Sequence, residues 1–321
     1  MNNNDKGEFV RWESQFRNWV TPDGAAGPTG EGGFKAESGR YHLYISHACP
    51  WAHRTLIFRK LKGLESIISV SVVNPVMPEE SWVFSPYSGS TIDHIHGYQK
   101  LEQLYNHVSP GYDGVVTVPV LYDKKKDLIV NNESSEIIRM LNSAFDEWSN
   151  QTVDYYPEAL RAEIDEINAF IYDNINNGVY KTGFANSQPA YGQAFDNLFS
   201  ALDALEQRLG KRRYLVGDQI TEADWRLFPT LLRFDPVYYS HFKCNRQRIT
   251  DFPNLWAYVR ALYQHAGIAD TVNMDHIKTH YYTSHPSLNP SGIVPKGPAI
   301  DFMSQENMGL HDISLSAASL V

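Results

Sequence analysis

The chain has 321 residues, which is enough for two domains that each bury a core. Its 28 lysines and arginines stand against 37 acidic residues, and the resulting net charge of −9 excludes a typical nucleic-acid-binding surface. Only two cysteines occur, so we exclude a disulfide framework and expect a reducing compartment. No apolar run has the length of a membrane span and the first residues lack a leader pattern, which predicts a cytoplasmic protein without a membrane partner.

The first half of the chain alternates between predicted strands and helices. After an extended segment that is rich in glycine and proline, residues 41–46 predict a strand, and Pro50 marks the start of the helix that follows. Further elements are a strand over 67–73, a helix over 98–107, a hairpin over 115–122 and 128–130, and a capped helix start over 132–136. This order, β-α-β followed by a long connection and β-β-α, is typical of a thioredoxin-like domain.

The second half is predicted to be helical. Apolar residues recur at helical spacing over 158–177 and 194–209, and further helices are predicted over 255–264 and 271–282. Thr221 and Asp224 have the spacing of a capping box. The predicted limits are a 1–40 N-terminal extension, a 41–145 thioredoxin-like domain, a 146–156 linker, a 157–285 all-helical domain and a 286–321 tail.

Cys49 is the strongest candidate for a reactive group, because it lies at the start of the first predicted helix. Free N–H groups and the helix dipole favour a thiolate there, and such settings lower a cysteine pKa from about 8.5 to roughly 3.5–7.5. The position three residues on is Ala52, so Cys49 has no local partner to resolve a mixed disulfide. The pattern therefore predicts a monothiol site that uses glutathione, and the alternative is a buried structural cysteine.

Several strings extend this pattern to a family. The chain resembles the Xi class of glutathione transferases, the S-glutathionyl-hydroquinone reductases, from about Phe9 to Pro298. The resemblance implies an α+β fold, with an N-terminal thioredoxin-like domain and a C-terminal all-helical glutathione-transferase domain. The strings that carry it are Cys49-Pro50-Trp51-Ala52, Ser81-Trp82, residues 117–121, Asn132-Glu133-Ser134, residues 177–185, residues 233–238 and residues 280–285.

The resemblance implies a glutathione site built from the thioredoxin-like domain. Val118, before a proline predicted to be cis, would offer its backbone to the cysteinyl part of glutathione, whereas an ordinary trans bond is the alternative. Glu133 and Ser134 would hold the γ-glutamyl ammonium and carboxylate, although a capping motif has the same pattern. A basic residue of the family is replaced by Val115, so its anionic contact must come from elsewhere or be absent. The implied glutathione-binding set is Trp82, Val115, Val116, Thr117, Val118, Glu133 and Ser134.

The resemblance also places three tyrosines near the sulfur. Tyr180 would exchange a proton with the quinol, and Tyr238 and Tyr281 would hold Cys49 as a thiolate by donating hydrogen bonds. We expect Cys244 to be inert. The histidine pairs His276/His280 and His94/His96 lack an acidic partner at a recognised spacing, so no metal is expected.

The sequence therefore predicts an enzyme that reduces S-glutathionyl-hydroquinones with glutathione as cosubstrate, through a mixed disulfide on Cys49. One alternative is an omega-like thiol transferase or dehydroascorbate reductase, which shares the cysteine chemistry without needing the tyrosines. Another is a non-catalytic ligand-binding protein on the same fold. The expected partners are glutathione, glutathionyl-aromatic substrates and a second copy in a homodimer.

Overall fold

A computed structural model describes residues 3–78 and 81–305. They form two compact units. The sheet unit contains residues 12–78, 81–154 and 270–295, and the helical unit contains residues 3–11, 155–269 and 296–305. The start of the predicted N-terminal extension, residues 1–2, and the end of the predicted tail, residues 306–321, lie outside the described residues. The domain limits inferred from the sequence stay predictions.

The sheet unit has a four-stranded mixed sheet in the order β2-β1-β3-β4. β1 and β2 are parallel, whereas β3 is antiparallel to both of its neighbours, β1 and β4. This arrangement confirms the thioredoxin-like order predicted from the sequence. The strands are β1 (Tyr41–Ile45), β2 (Ser69–Val72), β3 (Val120–Asp123) and β4 (Leu128–Asn131), and the first three helices are α1 (Pro50–Leu61), α2 (Leu101–Val108) and α3 (Ser134–Ser143).

The predicted strand over residues 115–122 is wrong at its first half, because β3 begins only at Val120. Pro119 has no N–H to donate to a neighbouring strand, so a ladder cannot run through it. The preceding backbone is instead held by side chains. Tyr105 on α2 donates its hydroxyl to the Thr117 carbonyl at 2.9 Å. Residues 115–118 are therefore an irregular segment that leads into the sheet.

The helical unit contains five α-helices in its described residues. The helix predicted over 158–177 starts as a 3₁₀ turn, becomes α4 and ends as a π-helical turn over Tyr172–Asn176. The short helix α5 after that turn was not predicted. The five are α4 (Arg161–Ile171), α5 (Gly178–Gly183), α6 (Gln188–Leu209), α7 (Glu222–Arg233) and α8 (Pro253–Tyr263).

One more helix, α9 (Met274–Thr283), returns to the sheet unit. Its His280 ring stacks on Trp82 with centroids 4.9 Å apart, and His280 Nδ1 lies 2.9 Å from the Pro75 carbonyl oxygen. These contacts hold α9 against the segment that follows β2. Among the helices of the described ranges, none has the length and apolar character needed to cross a bilayer.

The predicted capping box at the start of α7 is confirmed. The Thr221 N–H donates to Asp224 Oδ2 at 2.8 Å, and Asp224 Oδ1 accepts the Leu215 N–H and the Tyr258 hydroxyl at 3.0 and 2.8 Å. The carboxyl group is fully buried, and burial raises its pKa in spite of these hydrogen bonds. Asp224 thus joins the cap of α7, the preceding loop and α8 at one point.

Replacing Asp224 with Ala is expected to lower the free energy of unfolding by about 3 kcal/mol or more, because several buried donors lose their acceptor at once. Chemical denaturation followed by circular dichroism measures the change. Asp203→Ala is the matched control: Asp203 is exposed and paired with Arg246, and loss of such a pair costs about 1 kcal/mol or less. Equal effects of the two substitutions would contradict the role given to Asp224.

Candidate active site

Cys49 occupies the position immediately before α1, as the sequence predicted. It is the N-cap of that helix, and its sulfur accepts the Ala52 N–H with 3.5 Å between Sγ and N. Pro50 is the first residue of the helix and has no backbone N–H of its own to leave unsatisfied. The side chain is partly exposed. A sulfur in this position is both accessible and close to the positive end of a helix dipole.

A second contact of the Cys49 sulfur acts in the opposite direction. The thiol donates to the Val118 carbonyl oxygen, with Sγ and O 3.5 Å apart. This contact favours the protonated thiol, whereas the Ala52 N–H and the helix dipole favour the thiolate. Cys49 therefore has contacts that favour the thiol as well as contacts that favour the thiolate.

The other cysteine is neither accessible nor at a helix start. Cys244 belongs to the helical unit, is fully buried, and points its thiol toward the Phe242 carbonyl at 3.8 Å. Burial raises the pKa of the Cys244 thiol far above its ordinary value. A buried, protonated thiol is a poor nucleophile, which agrees with the prediction that Cys244 is inert.

The segment next to Cys49 lies just before the start of β3. The Val118–Pro119 peptide bond is cis, which confirms the prediction. Among the described residues no group accepts the Val118 N–H. Asn132 Nδ2 contacts both the Tyr105 hydroxyl and Thr117 Oγ1 at 3.3 Å, and burial raises the pKa of Tyr105 to about 12, so that hydroxyl keeps its proton. Side chains thus hold the segment, and Val118, which is 5% exposed, keeps its backbone N–H for pairing with an extended peptide.

The start of α3 brings the next two predicted residues together. Glu133 is the N-cap, and its Oε1 accepts the Ser135 N–H at 3.0 Å and the Ser135 hydroxyl at 2.8 Å. Its Oε2 accepts the Ser14 hydroxyl at 3.0 Å. Burial acts to raise the pKa of Glu133, but these hydrogen bonds and the Arg54 charge outweigh it and lower the pKa. The capping interpretation of this motif is therefore confirmed, and an ionised carboxylate remains beside the helix start.

Arg54 is a residue of this region that the sequence analysis missed. It lies on α1, is 2% exposed, and donates from Nη1 to the Ser134 hydroxyl over 3.4 Å. Its guanidinium carbon is 4.6 Å from the centroid of the Trp51 ring. The sequence signal that could have revealed Arg54 is a single charge on an otherwise apolar face of the predicted helix. Arg54 brings a cation to the N-terminus of α3, where backbone N–H groups already favour an anion.

The remaining predicted glutathione contacts lie in two places. Trp82 is buried and packed on α9, so its ring is fixed by His280. Val115 is 40% exposed and Val116 is partly exposed, and the Val115 carbonyl accepts the Tyr112 hydroxyl at 3.2 Å. The Val115 side chain offers no charge, whereas Arg54 contacts Ser134 and Arg17 pairs with Glu136 in the first turn of α3.

The three predicted tyrosines are divided between the two units. In the helical unit, Tyr180 and Tyr238 pack with ring centroids 6.1 Å apart, and both contact Phe242. Tyr180 is partly exposed, and Tyr238 is fully buried. The Arg11 guanidinium lies 4.7 Å from the Tyr180 ring centroid. Tyr281 belongs instead to the sheet unit on α9, where it packs against His280 and His285.

Family models match both halves of the chain. The model for the N-terminal domain of glutathione S-transferases covers residues 48–144, and the model for the C-terminal domain covers residues 188–261. The first range contains Cys49 and the Glu133–Ser134 motif, and the second contains the α7 capping box.

Individual relatives match over most of the chain. It is 59% identical to glutathionyl-hydroquinone reductase YqjG of Escherichia coli K12, over 91% of this chain and 89% of that protein. The solved structure of YqjG with bound glutathione superposes with a TM-score of 0.89, covering 90% of this chain and 94% of that one. The reductase PcpF of Sphingobium chlorophenolicum is 55% identical, over 91% and 90%. The Xi glutathione S-transferase of Phanerochaete chrysosporium gives a TM-score of 0.88 at 52% identity, over 93% and 95%.

Proposed function

The chain belongs to the Xi class of glutathione transferases, and we propose that Cys49 performs in it the glutathione-dependent reduction of S-glutathionyl-hydroquinones. The relatives named as glutathionyl-hydroquinone reductases support the reaction class. The glutathione-bound relative supports glutathione as the ligand.

In the first step, the Cys49 thiolate attacks the sulfur of the glutathionyl conjugate. A disulfide forms between Cys49 and glutathione, and the bond between sulfur and the aromatic carbon breaks. The electron pair of that bond goes to the ring carbon, which takes up a proton. A carbon leaving group is far poorer than a thiolate, so proton delivery must accompany its departure. We assign the proton to Tyr180, with Tyr238 and Tyr281 as donors of hydrogen bonds to the thiolate.

In the second step, another glutathione attacks the mixed disulfide and leaves as glutathione disulfide. The Cys49 thiolate is regenerated, and the thiol proton of the incoming glutathione balances the proton given to the ring carbon. An external thiol is required because Ala52 occupies the place of a resolving cysteine and Cys244 is buried. The net reaction converts one conjugate and one glutathione into a hydroquinone and glutathione disulfide.

Recognition of glutathione follows from the geometry around Cys49. The Val118 backbone, whose N–H has no acceptor among the described residues, would pair with the cysteinyl part of the tripeptide. At the start of α3, the Ser134 hydroxyl, the backbone N–H groups and Arg54 would hold the γ-glutamyl carboxylate. The ionised Glu133 would accept the ammonium group. Trp82 would bound the same pocket, and the 115–117 segment would follow the tripeptide backbone.

The observation that carries this proposal is the position of one accessible sulfur at a helix N-terminus, beside the Val118 backbone. Mass spectrometry after incubation with glutathione disulfide is the direct test. We expect one added glutathionyl group, mapped to Cys49 after proteolysis. Cys49→Ser should remain unmodified and Cys244→Ala should still take up one group. Modification of Cys244, or none in the native protein, would contradict the proposed nucleophile.

Substrate comparison separates this function from the two alternatives. A glutathionyl-hydroquinone reductase should release quinol from its conjugate efficiently, whereas an omega-like thiol transferase would prefer a small glutathione mixed disulfide. The pH dependence of Cys49 alkylation tests the other alternative, a non-catalytic ligand-binding protein. A thiol that titrates at the value of free cysteine would favour a passive ligand-binding protein.

We also propose a cytoplasmic homodimer. Both cysteines are free, which suits a reducing compartment. Family resemblance suggests dimerisation through the helical unit. Light scattering after size-exclusion chromatography would give twice the chain mass if the dimer forms.

A further inference from the structure

Three side chains of the sheet unit converge outside the glutathione site. They are His96 in the segment before α2, His107 in the last turn of α2, and Asp127 in the turn between β3 and β4. One ring nitrogen from each histidine and one carboxylate oxygen all lie within 4.8 Å of one another. We call these three residues the His96 cluster. Their positions are far apart in the sequence, so no spacing rule reveals them.

Both histidines turn a ring nitrogen toward the Asp127 carboxylate. His107 Nε2 lies 2.8 Å from Asp127 Oδ2, and His96 Nε2 lies 3.6 Å from Asp127 Oδ1. The Tyr122 hydroxyl is 2.9 Å from His96 Nε2 and also donates to Asp127 Oδ1. The same nitrogen type, Nε2, is thus turned toward the carboxylate in both histidines.

The surrounding residues hold this geometry while leaving it accessible. The His96 ring stacks on Tyr98, with centroids 4.9 Å apart and planes 15° from parallel. Asp127 donates its backbone N–H to the Asp123 carbonyl at 2.8 Å, which fixes the turn. Side-chain exposure rises from 17% at His96 to 35% at His107 and 55% at Asp127. An ion could therefore reach the cluster from solvent and retain a water molecule as a further ligand.

We propose that the His96 cluster binds a divalent transition-metal ion of the Zn²⁺ type. Two imidazoles and one carboxylate are a three-ligand set that such ions accept, with water in the fourth position. Ca²⁺ and Mg²⁺ prefer all-oxygen sites, so the two histidines disfavour them. On binding, the ion replaces the hydrogen bond between His107 and Asp127 and the contact between His96 and the Tyr122 hydroxyl, and any proton on the ligating nitrogens is released to solvent. The bound ion would tie α2 to the β3–β4 turn. This proposal departs from the metal-free expectation of the sequence.

Zinc titration of the metal-stripped protein tests the site. The protein carries Cys49→Ser, because a thiolate is itself a zinc ligand and would obscure the result. We expect calorimetry to show saturation at one ion per chain. At a hundredfold excess over the dissociation constant, the unfolding midpoint should rise by on the order of 5 °C.

Two further variants in the same background assign the binding. His107→Ala removes a ligand at a partly exposed helix position and should weaken zinc binding at least about 10-fold. His94→Ala is the matched control, because His94 lies two residues from His96 but contacts Ser71 instead of the cluster. It should bind zinc like the parent. Absence of saturable binding in the folded parent, or binding that His107→Ala leaves unchanged, would overturn the proposal.

Discussion

Replacement of Cys49 with Ser is expected to reduce quinol release from a glutathionyl-hydroquinone at least about 1,000-fold, or roughly 4 kcal/mol of transition-state stabilisation. The hydroxyl stays protonated under conditions in which the thiol near the α1 N-terminus ionises, and it cannot form the mixed disulfide. Initial rates of quinol release, measured at saturating glutathione, check the prediction. Full activity in the variant would end the thiolate mechanism.

The same substitution should leave the fold nearly unchanged. Serine is a favourable N-cap residue, and its oxygen can accept the Ala52 N–H as the sulfur does. We therefore expect the thermal unfolding midpoint of Cys49→Ser to remain close to that of the native protein. Cys244→Ala serves as the activity control, since loss of that buried thiol should not affect turnover per folded molecule.

Replacement of Tyr180 with Phe is expected to lower the rate of quinol release by about 10²–10⁴-fold, the usual contribution of a general acid. Phenylalanine keeps the ring contacts with Tyr238 and Phe242, so the helical unit should fold normally. Glutathionylation of Cys49 by glutathione disulfide should be unchanged, because a thiolate leaving group needs no proton. Stopped-flow measurement of both steps separates the two effects.

Tyr263→Phe is the control for Tyr180→Phe. Tyr263 lies on α8, where its ring stacks on Phe302, and the substitution should leave quinol release unchanged. An unaltered rate in Tyr180→Phe would remove the proton-donor role while leaving the nucleophile intact. If Tyr180→Phe lowered quinol release and the glutathionylation of Cys49 equally, Tyr180 would have a packing role instead.

Local patterns predicted much of the fold. The Pro50 signal placed α1, and the Thr221–Asp224 spacing placed the start of α7, because both depend on hydrogen bonds between residues only a few positions apart. The boundaries of β3 and the π-helical end of α4 were missed. The strand begins after Pro119, which has no N–H for the ladder, and the Tyr105 hydroxyl holds Thr117 in the irregular segment before it. Nothing in the apolar spacing over 158–177 marks the π-helical turn.

The amino-acid sequence by itself determined that a single cysteine lies at a helix start without a resolving partner, since that depends on neighbours within four residues. Only the tertiary structure decided which side chains from separate elements meet. Packing of α1 against α3 brings Arg54 to Ser134, and the turn between β3 and β4 brings Asp127 to His107. Such pairs depend on the burial of whole elements against one another, and many sequence separations satisfy that requirement equally well.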